Sequence, residues 1–184
     1  MITLANGEKI VLGDKKQQLI GEDGTLLNLD SAVVEYKGKQ KTPALVYNTI
    51  DIPIGGEYQL VLADGTKVWL NADSKLRFPV SFTAERREVY LEGEAYFEVA
   101  KDSEHPFIVH ISRGAIEVWG TGFNVRDYRE EQKTVTTLVQ GKVVYRPERQ
   151  PGREIMLEPG FQIKDEEGGS LQPRKVDVIL YTGW

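Results

Sequence analysis

Four glutamates with near-alternate spacing form the densest set of potentially catalytic side chains in the sequence. They lie in and around "EVYLEGEAYFEV", at positions 88, 92, 94 and 98. Alternate residues on one face of a strand lie about 6.5–7 Å apart. Glu92 and Glu94 could therefore serve an inverting glycosidase, with Tyr90 and Tyr96 as a sugar-stacking surface. The competing interpretation, which we favour, is a solvated strand face whose acids are neutralised by neighbouring Arg and Lys.

The other reactive side chains do not form a catalytic or metal-binding pattern. His105 precedes a proline, which favours a turn, and His110 alternates with apolar residues, which favours an outward strand position. "GTGFN" at 120–124 is glycine-rich but lacks the following helix of a phosphate-binding loop, so it predicts a bend. The absence of cysteine excludes thiolate catalysis, zinc-thiolate sites and disulfides. We therefore expect no catalytic residue, no cofactor and no metal.

The strand that carries the glutamates has an apolar side with a period of two. Its members are Val89, Leu91, Ala95, Phe97 and Val99. This alternation predicts a half-buried strand with Leu91, Phe97 and Val99 in the core and the glutamates and tyrosines on the opposite face. Gly93 lies among the apolar positions, and it predicts a bend or a close approach of backbone.

The same period of two recurs along nearly the whole chain. Further candidate strands are "TLLNL", "AVVEY", "EYQLVL", "KVWL", "FIVHI", "AIEVWG", "FNVRDY", "TVTTLVQ", "KVVYRP", "EIML" and "FQIKDE". Turn signals such as "EDGT", "ADGT" and "EPGF" separate them, and no amphipathic helix of useful length is found. The predicted fold class is all-β, an antiparallel β-sandwich resembling a jelly roll.

A weak repeat marks two of the predicted hairpins. "LANGEKIVLGD" from Leu4 and "LADGTKVWLNAD" from Leu62 align without a gap. We interpret them as equivalent corners of one domain or as a duplicated hairpin. Trp69, in the second copy, and Trp119 each have aliphatic neighbours, and core packing is favoured over ligand stacking for both.

Composition limits the possible partners. The 184-residue chain has a net charge of −5 and no long basic block, so nucleic acid is an unexpected partner. No apolar run approaches the ~20 residues of a transmembrane helix, and no leader opens the sequence, so the chain as given is expected to be soluble. The apolar ending "VDVILYTGW" predicts a fragment of a longer protein.

Five motifs in a fixed order resemble a known family. They are "LADGTKVWLNADSKLRFP", "RREVYLEGEAYFEVAKDSEHPFIV", "IEVWGTGFNV", "VTTLVQGKVVY" and "LEPGFQ", preceded by "YNTIDIPIGGEYQLVL". This set is similar to the FecR family of sigma-factor regulators, in the version common in Bacteroidetes. The resemblance covers residues 45–165 well and residues 1–44 more loosely.

The resemblance implies a noncatalytic signalling module in the periplasm. In such an anti-sigma factor, the periplasmic part receives a signal from the signalling domain of a TonB-dependent outer-membrane transporter that imports iron chelates or glycans. The signal passes to an extracytoplasmic-function sigma factor. Sigma-factor contact and membrane anchoring would use a cytoplasmic part and a transmembrane helix that are absent from these residues. A carbohydrate-binding jelly roll is the alternative.

The family motifs imply fold determinants and no catalytic residue, and the interaction surface is left unknown. The motif positions are Asp64, Gly65, Asn71, Gly93, Glu94, Phe97, Gly120, Thr121, Phe123 and Asn124. Their glycines suit turns, their phenylalanines suit the core, and their asparagines suit hydrogen bonds to loop backbone. We expect one β domain over 1–174, made of an N-terminal extension (1–53) and a FecR core (54–174). Residues 175–184 are expected to be a linker or the start of a further domain.

Overall fold

The computed structural model describes residues 1–4, 7–11, 17–20, 26–30, 33–37 and 46–183, with side chains placed in 1–4, 7–11 and 46–183. Within these ranges the strands, numbered β1 to β18 in chain order, are Ile2–Thr3, Lys9–Ile10, Gln17–Ile20, Leu26–Asp30, Val33–Lys37, Tyr47–Ile52, Tyr58–Val61, Lys67–Leu70, Ser74–Pro79, Arg87–Glu98, Phe107–Ile111, Gly114–Val118, Gly122–Asp127, Lys133–Gln140, Val143–Pro147, Ile155–Leu157, Phe161–Glu166 and Arg174–Lys175. A 3₁₀ turn (Arg129–Glu131) and a short helix, α1 (Ile179–Thr182), complete the described elements. The turn predicted at 22–25 lies outside the described residues, as does Trp184.

Among the residues that the structure describes, the strands form one continuous hydrogen-bonded system that is not closed into a barrel. It folds into two sheets. The first sheet has the order β2-β1-β6-β9-β10-β11-β12-β15-β16. The second has the order β3-β4-β5-β7-β8-β10-β13-β14-β17-β18. The predicted all-β sandwich is confirmed, and every candidate strand quoted above is present.

Strand β10 belongs to both sheets. Its residues 87–92 pair with β9 and β11 in the first sheet, and residues 93–98 pair with β8 and β13 in the second. The chain then returns through residues 99–106 to start β11 beside the first half of β10, so this pair is parallel. Parallel pairing also joins β5 to β7, and both pairs depart from the antiparallel expectation.

The core lies between the two sheets. The Phe97 ring, from the second sheet, stacks on Phe123 with centroids 5.2 Å apart and also meets Phe107 of the first sheet at 6.1 Å. The predicted apolar face of β10 is confirmed, because Leu91, Phe97 and Val99 are all buried. The period of two therefore identified the correct face, and it sets which side chains of β10 remain for contact with other molecules.

The two repeated corners share a pair of backbone hydrogen bonds and the φ of one glycine among their described residues. In one, the amide of Leu62 donates to the carbonyl of Thr66 and that of Gly65 donates to Leu62. In the other, Leu4 donates to Glu8 and Gly7 donates to Leu4. Gly65 and Gly7 both have φ of 85°, which favours glycine. Both copies are therefore hairpin corners, as the repeat predicted.

Across the described residues, no helix is long and apolar enough to cross a lipid bilayer.

Candidate functional site

The glutamates of β10 do not share one environment. Glu92 forms an ion pair with Arg129 at 2.8 Å, and its side chain is about half exposed. Glu88 and Glu98 are also paired at the surface, with Arg86 at 3.6 Å and Lys67 at 4.0 Å. These three agree with the predicted solvated face. Glu94 does not, because it is only 5% exposed.

Three side chains from other strands and turns bind the Glu94 carboxylate. Asn71 donates to Oε2 at 3.0 Å, Asn124 donates to Oε1 at 3.0 Å, and Arg126 donates to Oε2 at 2.9 Å. Arg126 also pairs with Glu131, and this hydrogen bond raises the pKa of the guanidinium and lowers that of the Glu131 carboxyl. The three donors satisfy the buried carboxylate and tie the neighbouring segments to β10.

The prediction that Glu94 lies on the solvated face is therefore wrong, and the reason is local. Residues 93–98 have left the first sheet, and in the second sheet Glu94 lies opposite Arg126 and next to the end of β8. The asparagines were expected to bind loop backbone. Asn71 does accept a bond from the amide of Ala72 at 2.7 Å, but both side-chain amides donate to Glu94.

Gly93 makes the transfer between the sheets possible. Its φ is 98°, and a Cβ there would lie 2.7 Å from Cα of Ser74. The hydroxyl of Ser74 accepts a hydrogen bond from the amide of Glu94 at 2.8 Å. The close backbone approach predicted from the sequence is present, and it separates Glu92 from Glu94. A glycosidase needs both carboxyls at one cleft, whereas Glu94 is buried among its three donors.

A second buried polar cluster fixes the corner at 62–66. Asp64 accepts hydrogen bonds from the amide and hydroxyl of Thr66, at 2.9 and 2.7 Å. Arg87 donates to Asp64 at 2.9 Å, and it also donates to the carbonyls of Ala100 and His105. Arg87 is only 4% exposed. This cluster fastens the corner to the returning segment 99–106, so its chemistry is structural.

The glycine-rich bend at 120–124 packs against the same segment. A Cβ on Gly120 would lie 2.9 Å from Cα of Lys101, and the amide of Val99 donates to the carbonyl of Thr121. The predicted bend is present at residues 119–120 and packs against this segment, and strand β13 begins at Gly122.

The two histidines lie apart. His105 contacts Asp102 at 2.8 Å, and this hydrogen bond lowers the pKa of Asp102 to about 2. His110 stacks on Tyr90 with centroids 4.7 Å apart and lies 3.5 Å from Glu88. In the part of the chain that the structure describes, no group of three or more His, Cys, Asp or Glu side chains could hold a metal ion.

A row of aromatic and cationic side chains, which we call the tyrosine row, crosses the outer face of the first sheet. Its members are Tyr47, Arg77, Tyr90 and His110. The guanidinium carbon of Arg77 lies 4.1 Å from the Tyr47 ring centre and 5.2 Å from that of Tyr90. The row was not predicted, because β6 and β9 bring Tyr47 and Arg77 to Tyr90 only through long-range pairing.

Tyr96 belongs to a different surface. It pairs in the second sheet, where its ring meets half-buried Trp69 at 5.7 Å. Tyr90 and Tyr96 therefore do not form the shared sugar-stacking surface that their spacing suggested. Trp119 is also half-buried.

Comparison with known proteins places this geometry in a family. Residues 48–144 match the family described as FecR protein. Two crystal structures, at 2.50 and 1.65 Å resolution, of a candidate anti-sigma factor from Parabacteroides distasonis ATCC 8503 are similar, with TM-scores of 0.71 and 0.70 and 34% identity. The similar regions cover 75% and 74% of this chain and 64% and 63% of the chains in those two structures. This chain therefore spans less than two thirds of the length of the protein that it resembles. No curated protein matches the chain.

The matched range contains the corner at 62–66, the whole of β10 and the bend at 120–124. It covers more than half of the 184 residues. The chain belongs to the FecR family.

Proposed function

We propose that the chain is a noncatalytic periplasmic signalling module of an anti-sigma factor. In this proposal it relays the state of a TonB-dependent outer-membrane transporter to an extracytoplasmic-function sigma factor. The observation that carries it is the FecR match over residues 48–144. The similarity to a candidate anti-sigma factor supports the same regulatory role. Sigma-factor contact is assigned to parts of the full protein outside this chain.

The environment of the candidate acids supports a role without catalysis. The Glu94 carboxylate is buried and bound by three donors. The Glu92 carboxylate is engaged by Arg129. The buried Glu94 arrangement ties strands and turns together, as expected for a module that works by presenting a rigid surface. We also propose the domain division given above, with one β domain over 1–174 and a linker or a further domain from 175.

The tyrosine row is the surface that we expect to meet the transporter's signalling domain. Tyr and Arg are the residue types enriched at the energetic centres of protein interfaces. Here Arg77 is exposed and lies between two tyrosine rings, which fixes all three side chains before binding. Preorganised side chains lose less conformational entropy when a partner binds.

Isothermal titration calorimetry tests the proposal. The periplasmic region of the full protein is titrated with the signalling domain of the transporter encoded beside its gene. We expect saturable binding that is weakened at least about tenfold by Tyr90→Ala. Tyr96→Ala, on the other sheet, is the matched control and should leave binding within about threefold of wild type. Absence of binding by the wild-type protein would contradict the transporter relay.

A further inference from the structure

A cleft of about 700 Å³ opens at the end of the sandwich where several strand connections converge. Its walls come from the β11–β12 turn at 112–113, the β13–β14 connection at 128–133 and the loop at 148–149. The size falls in the range of small-ligand sites, roughly 300–1,000 Å³. Neither the buried clusters at Glu94 and Arg87 nor the tyrosine row contributes a residue to it.

The charge of this cleft is opposite to that of the protein. Its charged lining residues are Arg113, Arg129, Lys133, Arg149, Glu148 and Asp165. Among the lining residues four cations therefore face two carboxylates, and two of the cations, Arg129 and Lys133, pair with glutamates outside the lining. The whole chain carries a net charge of −5. A concave surface concentrates such a field and attracts ligands of the opposite sign.

Two of the arginines are held in place by the protein. Arg113 donates through Nη2 to the carbonyl of Gln132 at 2.6 Å. Arg149 donates through Nη2 to the carbonyl of Gly169 at 2.9 Å, and its Nε lies 3.0 Å from Oδ1 of Asp165. Asp165 is 1% exposed and also accepts a bond from the Tyr145 hydroxyl at 2.7 Å. The floor of the cleft is thus a buried carboxylate that forms an ion pair with the Arg149 guanidinium.

These arginines have donors left for a ligand. A guanidinium carries five N–H donors, and within the described residues Arg113 uses only Nη2 in a hydrogen bond. The other two cations are in surface pairs, Arg129 with Glu92 at 2.8 Å and Lys133 with Glu131 at 3.4 Å. Such pairs contribute little to stability and are readily exchanged for another carboxylate.

We propose that the cleft binds an acidic peptide segment of a protein partner, through its Asp and Glu side chains. Carboxylates match the paired donors of a guanidinium. Exposed Glu148 supplies an acceptor for an amide of the same segment, and its carboxylate would repel the phosphates of a nucleic acid. The proposal goes beyond the regulatory role above, because it does not depend on which protein supplies the segment.

Fluorescence anisotropy tests this site with the full chain and a fluorescein-labelled octa-glutamate peptide. The cleft variant is Arg129→Gln with Lys133→Gln. The matched control is Arg86→Gln with Lys67→Gln, which removes two exposed cations that are likewise paired with glutamates. We expect the cleft variant to weaken binding about tenfold and the control less than about threefold. Arg113→Lys, which keeps the charge and loses the planar donor pair, should weaken binding as well.

Three results would overturn the proposal. The first is no binding to the wild-type chain at low salt, and the second is equal weakening by the cleft and control variants, which would show non-specific attraction. The third is displacement of the peptide by inorganic phosphate or a single-stranded oligonucleotide at lower concentration than by free octa-glutamate. Binding that persists at about 0.15 M ionic strength and is lost only in the cleft variants would support it.

Discussion

Replacement of Arg87 by Met perturbs the cluster that fastens the corner at 62–66 to the returning segment. Methionine keeps most of the side-chain volume and removes every donor. The lost bonds are those from Nε and Nη2 to the carbonyl of His105, at 3.0 and 2.9 Å, and from Nη1 to Ala100 and Asp64, both at 2.9 Å. Two carbonyls and one carboxylate are then left without their cationic partner.

The expected loss of unfolding free energy follows from the burial of Arg87 and Asp64. Arg87 is 4% exposed and the Asp64 side chain 14%, so water replaces little of what is lost. Breaking a buried ion pair by removing one partner costs about 3–5 kcal/mol. Asp64 keeps its two bonds from Thr66, which favours the lower half of that range. Arg87→Lys, which keeps the charge without the planar donors, should fall between wild type and Arg87→Met.

Urea denaturation followed by tryptophan fluorescence measures this free energy of unfolding. The matched control is Arg86→Met at the adjacent position, where the side chain is 64% exposed and 3.6 Å from Glu88. We expect the control to change stability by less than about 0.5 kcal/mol. If Arg87→Met destabilises the protein no more than Arg86→Met does, the structural role of the cluster is refuted.

Three further predictions concern the strand β10. Phe97→Ala should cost about 3–5 kcal/mol of unfolding free energy, because the ring is fully buried, and a denaturation midpoint near wild type would contradict that placement. Gly93→Ala should lower Tm far more than Gly65→Ala. Both glycines have a positive φ, so an alanine at either position adds about 1–2 kcal/mol of backbone strain. Only at Gly93 would the new Cβ also clash with the backbone of Ser74, and equal losses of Tm would refute this close approach. Glu94→Gln should cost about 2–3 kcal/mol of unfolding free energy, because the new side-chain NH2 group would face the amide donor of Asn71 or of Asn124. Similar urea midpoints for Glu94→Gln and exposed Glu92→Gln would disprove the buried site.

Features that depend on the local sequence pattern were predicted from the sequence. The period of two placed Leu91, Phe97 and Val99 in the core, and the turn signal "ADGT" placed the corner at 62–66. Both signals act over a few residues, so neither needs knowledge of which strands become neighbours.

Features that depend on which strands pair could not be predicted from the sequence. Glu94 is buried because β8 and β13 bring Asn71, Asn124 and Arg126 to it from 23 to 32 residues away in sequence. The tyrosine row and the cationic cleft are assembled in the same way. A polar residue in an alternating strand is expected outside, and only tertiary partners reverse that preference.

Transcription in the native host tests whether the protein relays a signal. A reporter for the sigma-factor-dependent promoter is compared between wild type and a strain that lacks residues 48–144 of the protein, with and without the transporter's ligand. We expect the deletion to abolish the response to ligand. A response of wild-type size in the deletion strain would show that residues 48–144 do not relay the signal.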